Sequence, residues 1–169
     1  MGIDVGDPWA GLEDDGESKA RESHVVVRLG ADRFAVALSE VEEVLPVPPV
    51  TRLPGAPLWL MGVVNWRGRV LAAVDLRPLL GAERSPLASS ARLVVVSDGS
   101  VQAGLLAEAV PGLLADSATD ALPVPATVSP AAASILTGIA DVPEGQVAFL
   151  DVPAVLGLRG QLPQARPAW

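Results

Sequence analysis

Cysteine is absent from the 169 residues, and that absence removes disulfides, thiolate metal ligands and thiol nucleophiles at once. Histidine is nearly absent too. The lone His24 leaves little room for a zinc site or for Ser-His-Asp chemistry, and it reads as a solvated side chain rather than a ligand. Aromatics make up only 4% of the chain, so Val, Leu and Ala must fill the core; half of all residues are hydrophobic, which is ample. Long apolar runs are also missing. The longest, Leu58–Val64, falls far short of the ~20 residues that a spanning helix needs. Met1–Gly16 is acidic and lacks a basic start followed by an apolar stretch, so it does not read as a signal peptide. A soluble, cytoplasmic chain with no membrane insertion is expected.

Positive charge is scarce. The net charge is −8, and residues 1–22 alone carry Asp4, Asp7, Glu13, Asp14, Asp15, Glu17 and Glu22 against Lys19 and Arg21, a local −5. The remaining −3 belongs to the body. Nucleic-acid affinity depends on Lys and Arg neutralising phosphates, so no nucleic-acid partner is expected. Neither a GxxxxGK[ST] nor a GxGxxG phosphate loop occurs, and no cofactor or metal is implied.

Glycine and proline are plentiful, at 16 each. That is too much punctuation for a helical bundle and suits short strands joined by turns. Such runs are Val25–Leu29, Phe34–Leu38, Met61–Trp66, Val70–Asp75, Leu93–Ser97, Val101–Ala107, Ile135–Ala140 and Val147–Asp151. Short helical turns are expected after Asp75 and Asp151, each Asp capping its turn and Gly81 and Gly157 ending them. The expected layout is a disordered acidic tail over 1–23, one domain over 24–158, and a flexible tail over 159–169.

The domain repeats itself. At an offset of 69, Val25-Val26-Val27 lies over Val94-Val95-Val96, Phe34–Val41 over Ala103–Val110, and Leu53-Pro54 over Leu122-Pro123. From there the offset is 76: Gly62-Val63 meets Gly138-Ile139, Val74-Asp75-Leu76 meets Leu150-Asp151-Val152, and Leu79–Gly81 meets Val155–Gly157. One seven-residue insertion between Pro123 and Gly138 explains the change. Two copies of a unit too small to bury a core alone should pack together as paired small barrels, about 24–90 and 91–158.

Catalysis finds little support. The apolar-flanked acids are Asp75, Asp151 and Glu108, and the first two occupy equivalent repeat positions, which points to turn caps rather than a shared site.

The stretch from Pro54 to Arg77 is more informative. It contains Pro54-Gly-Ala-Pro57, a Gly62 opening an apolar run, Asn65-Trp66-Arg67-Gly68, and a second run ending in Asp75-Leu76-Arg77. Gly68 can take the positive φ of a tight hairpin, and Trp and Arg displayed together on a rigid turn are typical interface anchors. This stretch resembles the central motif of the CheW-like chemotaxis coupling family. Arg33–Leu38 with Val41-Glu42-Glu43-Val44 upstream, and Ala103–Val110, Leu136-Thr-Gly138 and Phe149-Leu150-Asp151 downstream, are similar to that family in order and spacing. The resemblance covers about residues 24–158.

The resemblance implies a mainly β fold of two packed five-stranded SH3-like barrels with short helical turns. It implies a non-enzymatic adaptor joining the regulatory domain of a CheA-type histidine kinase to the cytoplasmic tip of chemoreceptors, with weak self-association as a further contact. By position, Glu43 and Arg67 match a charged pair that matters for those contacts, Val41 and Val44 match apolar positions beside it, and Asn65 and Gly68 shape the turn presenting Trp66 and Arg67. The chain departs from the family at Trp66, where Leu is usual, and at Phe34, Ala72 and Glu108; its acidic tail is also long. Trp66 bears on which partner is recognised. The rival expectation is a self-assembling scaffold, or service in a chemosensory pathway other than motility.

Overall fold

The computed structural model describes residues 22–115 and 120–162; the acidic tail expected over 1–23 and the tail expected over 159–169 therefore fall mostly outside the described residues. Ten short strands form: β1 His24–Leu29, β2 Asp32–Ala37, β3 Val41–Pro46, β4 Leu60–Trp66, β5 Arg69–Val74, β6 Arg92–Ser97, β7 Gln102–Ala107, β8 Ala109–Leu114, β9 Leu136–Val142 and β10 Gly145–Leu150. Three helical turns accompany them, α1 Arg77–Leu80, α2 Pro130–Ala133 and α3 Val152–Gly157. A 3₁₀ turn over Leu158–Gln161, with Leu158 buried, carries the fold past the expected end at 158.

The strands pair into two five-stranded sheets, ordered β8-β1-β2-β10-β9 and β3-β6-β7-β5-β4. The fold is mainly β, as expected. Its assembly corrects one expectation. The halves 24–90 and 91–158 do not each build a sheet; each sheet takes the first two strands of one half and the last three of the other. The exchange is reciprocal, because β3-β6-β7-β5-β4 repeats the order of the other sheet with the halves reversed. Four pairings join the halves: β2 with β10 and β5 with β7 are parallel, and β1 with β8 and β3 with β6 are antiparallel. Neither half can satisfy its strands without the other.

The repeat survives in detail. Asp75 N–H donates to the Trp59 carbonyl at 2.7 Å, and Asp151 N–H, 76 residues on, donates to the Ile135 carbonyl at 2.9 Å. Gly62 and Gly138 are equally matched. A Cβ at Gly62 would collide with the Thr51 carbonyl, and one at Gly138 would lie 2.8 Å from the Leu122 carbonyl. At both places an incoming segment bridges the strand just past the glycine, Thr51 to Val63 and Leu122 to Ile139. The backbones approach too closely for any side chain.

Alternation sends side chains into three cores. A central one, between the sheets, gathers Val25, Val27 and Val36 with Val94, Val96 and Leu105, and α3 adds Val152 and Val155. A second lies on the far face of the β6-containing sheet, with Val64, Trp66, Leu71, Leu93 and Val95. A third, smaller one holds Ala35, Ala140, Val147 and Phe149. The run Leu93–Val96 is fully buried because it serves two cores, which is why it reads as continuous apolar sequence.

Two helical expectations part company. Asp151 does cap α3, its Oδ1 accepting from the Ala154 N–H at 3.1 Å. Asp75 does more than cap: its Oδ1 accepts the Arg77 backbone N–H at 3.1 Å at the start of α1, and, completely buried, both its carboxylate oxygens also bind the Arg77 guanidinium. Gly81 ends α1 in the left-handed conformation, while Gly157 stays right-handed inside the turn. The segment that holds the insertion, between Pro123 and Gly138, contains α2, capped by Ser129 and with Ala132 buried. His24 is half-buried rather than freely solvated. Its ring meets Phe149 edge-on at 5.0 Å, and its Nδ1 is buried without a hydrogen-bond partner among the described residues.

Candidate functional site

Trp66 closes β4 and Arg69 opens β5, so the hairpin turns on only Arg67 and Gly68. Of the two-residue hairpins that match strand twist, the type I′ turn needs positive φ at both central residues. Gly68 has φ 74, and Arg67 has φ 50, the only non-glycine with positive φ among the described residues. The Asn65 Oδ1 accepts the Gly68 N–H at 3.0 Å and fixes the turn from outside. Arg67 thus occupies a conformation costly for a side-chain-bearing residue, held by what surrounds it.

Those surroundings come from β3, at the opposite edge of the same sheet. The Trp66 indole N–H donates to Glu43 Oε2 at 2.7 Å, and the Arg67 guanidinium reaches the same oxygen at 3.1 Å. Arg67 also lies over the Trp66 ring, 5.0 Å from its centroid. Three side chains therefore stitch the edge strands β3 and β4 together where no ladder joins them. Arg67 remains 68% exposed at its side chain.

The local reason is a bulge. Val41 pairs with Val96 and Glu43 with Val95, leaving Glu42 as an extra residue. The bulge reverses the alternation of β3. Before it, Val41 packs on the central core; after it, Glu43 turns toward the seam and Val44 faces out, 40% exposed.

Of the expected residues, the structure brings together Glu43, Asn65, Trp66, Arg67 and Gly68, with Val44 beside them on β3. It separates Val41, which is partly buried on the other side of the bulge. Trp66 requires correction. It is 5% exposed and fills the second core, so it is not displayed with Arg67 as the turn motif had implied. Its place in the site is to hold Glu43. Sequence reasoning also missed Val70, 78% exposed and paired across the hairpin with Asn65. Its apolar character read as core, although Leu71 next to it must face the opposite way. Nearby, Gln102 links Glu42 and Arg69, donating to Glu42 at 2.8 Å and accepting from Arg69 at 3.4 Å.

A second charged cluster sits where the sheets meet. Glu108 lies at the crossing from β7 to β8, and accepts from Arg77 at 2.9 Å and from the Gly30 N–H at 2.9 Å. Arg28 stands 3.7 Å away and Arg84 pairs with Asp75 at 3.2 Å. Burial pushes the Glu108 carboxyl up, but the bonds from Arg77, Gly30 and Ser85 outweigh it and hold its pKa below the usual value. The Arg77 guanidinium is pushed up, first by its hydrogen bonds to Asp75. These carboxylates are committed to ion pairs, which suits cross-linking and not proton transfer.

Among the described residues, no helix is long and apolar enough to cross a membrane, and no group of three His, Asp or Glu could hold a metal. Comparison with known proteins decides the family, because the model of the CheW-like domain matches residues 23–159. The chain belongs to the CheW-like family. Protein FrzA of Myxococcus xanthus is 33% identical over 133 residues, covering 79% of this chain and 82% of its own. The chemotaxis protein CheW of Rhizobium meliloti is 29% identical over 131 residues, covering 78% and 84%. Protein PilI of Pseudomonas aeruginosa is 41% identical over 104 residues, covering 62% of this chain but only 58% of PilI. The crystal structure of the scaffolding protein TtCheW from Thermoanaerobacter tengcongensis matches with a TM-score of 0.68 at 21% identity, over 78% of this chain and 89% of that one. The CheW-like fold is therefore shared, and the chain is one of a family of coupling and adaptor proteins.

Proposed function

We propose that this CheW-like protein is a non-catalytic, cytoplasmic adaptor joining the regulatory domain of a CheA-type histidine kinase to the cytoplasmic tip of chemoreceptors. The observation that carries the reading is Arg67. An exposed guanidinium is held in a strained turn by an ion pair, a cation–π contact and a buried tryptophan beneath. Such preorganisation serves recognition, since little side-chain freedom is lost on binding. Glu43, Val44, Asn65, Gly68 and Val70 complete the proposed face, with Trp66 and Val41 supporting it from behind. Coupling would follow by linkage: an adaptor holding two proteins together lets the packing of one bias the populations of the other.

The test is a binding measurement with kinase regulatory domains and receptor tips from the same genome, using the wild-type chain and Arg67→Glu. Binding by the wild type, weakened at least tenfold in the variant, supports the reading. Wild-type failure with every partner refutes it. Similarity to PilI and FrzA as well as to chemotaxis CheW proteins favours a second reading, in which the same coupling serves a chemosensory output other than swimming. The partner that binds will distinguish them.

A further inference from the structure

Away from the hairpin, the long β3–β4 connection and the segment after α1 enclose two adjoining clefts. Both are walled by Arg52, Met61 and Arg84. One, of about 420 Å³, adds Leu87, and the other adds Leu53 and Leu58. No carboxylate lines either cleft, on a chain whose net charge is −8. Leu58 is 71% exposed and Leu53 42%. Asp75 anchors Arg84 from below at 3.2 Å while its side chain stays 41% exposed, so the guanidinium is aimed before anything binds. Arg52 has no hydrogen bond or ion pair among the described residues. The groove thus offers two cations set among exposed leucines, and asks for a segment that mixes acids with apolar side chains.

The chain carries such a segment. Residues 3–17 interleave Asp4, Asp7, Glu13, Asp14, Asp15 and Glu17 with Ile3, Val5, Trp9 and Leu12, and contain no Lys or Arg. We propose that the groove between Arg52 and Arg84 is the docking site of this N-terminal segment, its carboxylates on the two arginines and Trp9 and Leu12 against the leucines. Twelve residues separate Trp9 from Glu22, where the described chain begins, and the thirteen steps between them can span about 45 Å. A domain of this size has a radius of gyration of about 14 Å, so most of its surface is within reach. A short tether also gives the segment an effective concentration in the millimolar range, enough to fill a site too weak to hold a free peptide. An acidic partner approaching this groove would have to displace the segment. The inference does not depend on which proteins the adaptor couples.

The absence of cysteine makes the test direct. A nitroxide on Ala10→Cys in the full chain should broaden the amide resonances of residues 51–61 and 84–87 in dilute buffer. The effect should fade above about 0.5 M salt, where the Debye length is only about 4 Å. Arg52→Glu should abolish it, and so should Asp14→Lys with Asp15→Lys, while combining the three should restore it. Broadening that is absent, spread evenly, or indifferent to Arg52→Glu overturns the proposal. Broadening of unlabelled chains mixed with labelled ones overturns it as well, since the occupant would then be a second copy. Arg52 supports no other described residue, so loss of folding does not confuse the result.

Discussion

Trp66 and Glu43 meet across an open seam: one ends the edge strand β4, the other sits on the edge strand β3, and a single 2.7 Å hydrogen bond joins them. At the equivalent place in the other sheet stand Val142 and Gly112, whose side chains cannot bond, and a cleft lined by Leu113, Leu114 and Val142 together with Arg33 and Glu144 opens there instead. The seam by the hairpin is closed by Trp66 and Glu43, with Arg67 on the same carboxylate oxygen. Trp66→Phe keeps a ring but removes the indole donor and leaves Glu43 to Arg67 alone, and should cost about 1–2 kcal/mol. Trp66→Ala should cost about 3–5 kcal/mol through the cavity it leaves. Urea denaturation measures both, and a Trp66→Phe variant as stable as the wild type would mean the indole N–H contributes nothing.

The strained turn separates stability from binding. Arg67→Asn places a residue suited to positive φ before Gly68, so the melting temperature should hold or rise slightly. Partner affinity should fall by ~2 kcal/mol, about thirtyfold, because the displayed cation is gone. A collapsed melting temperature with unchanged affinity would make Arg67 structural and misplace the proposed face.

Val44 offers an uncharged check on the same face. Val44→Asp alters an exposed position, so stability should move by less than about 0.5 kcal/mol. Binding to the kinase domain or receptor tip should drop at least tenfold if the face is the interface. Titration calorimetry on the variant reads this directly.

Gly62 should tolerate no substitution. Its φ of 149 and the Thr51 carbonyl against its α-carbon leave no room for a methyl group. Gly62→Ala should destabilise the fold by about 2 kcal/mol or more. Gly138→Ala, at 2.8 Å from the Leu122 carbonyl, should do the same on the other side of the pseudo-symmetry.

The acid response follows from two carboxylates of opposite sign. Glu108 has a folded pKa below its unfolded value, so its contribution is present above about pH 4.5 and is lost as pH falls through the folded pKa. Glu108→Gln should lower the melting temperature at pH 7 and flatten its decline in acid. Glu40 runs the other way. Burial, followed by Glu22, Asp151 and Asp98, pushes its pKa up, so its charge costs stability at neutral pH. Glu40→Gln should therefore raise the melting temperature at pH 7, with no gain below about pH 4, where the carboxyl is protonated in both states. Melting curves at pH 7 and pH 3.5 check both signs.

Much of this was legible in the chain itself. Eight strands showed as β-branched runs, the duplication showed in paired Leu-Pro, Gly and Asp positions, and the Asn65–Gly68 turn lay between two apolar runs. The two strands that did not show, β3 and β8, carry acids and Pro46 or Pro111 and Gly112. Each lies at a sheet edge, where one side of the backbone needs no ladder and proline is tolerated, so their sequences read as turns.

Local sequence determined the strand menu, the turn at Gly68 and the family motif, because each depends on neighbours a few residues apart. Tertiary structure alone decided that the halves exchange strands, that Trp66 turns inward to hold Glu43, and that Asp75 binds Arg77 while its twin Asp151 caps a helix. Those outcomes rest on pairings tens of residues apart, such as Phe34 beside Ala148 and Arg77 beside Glu108. Side-chain period says only that a residue faces one side or the other. Which core lies on that side is settled when distant strands meet.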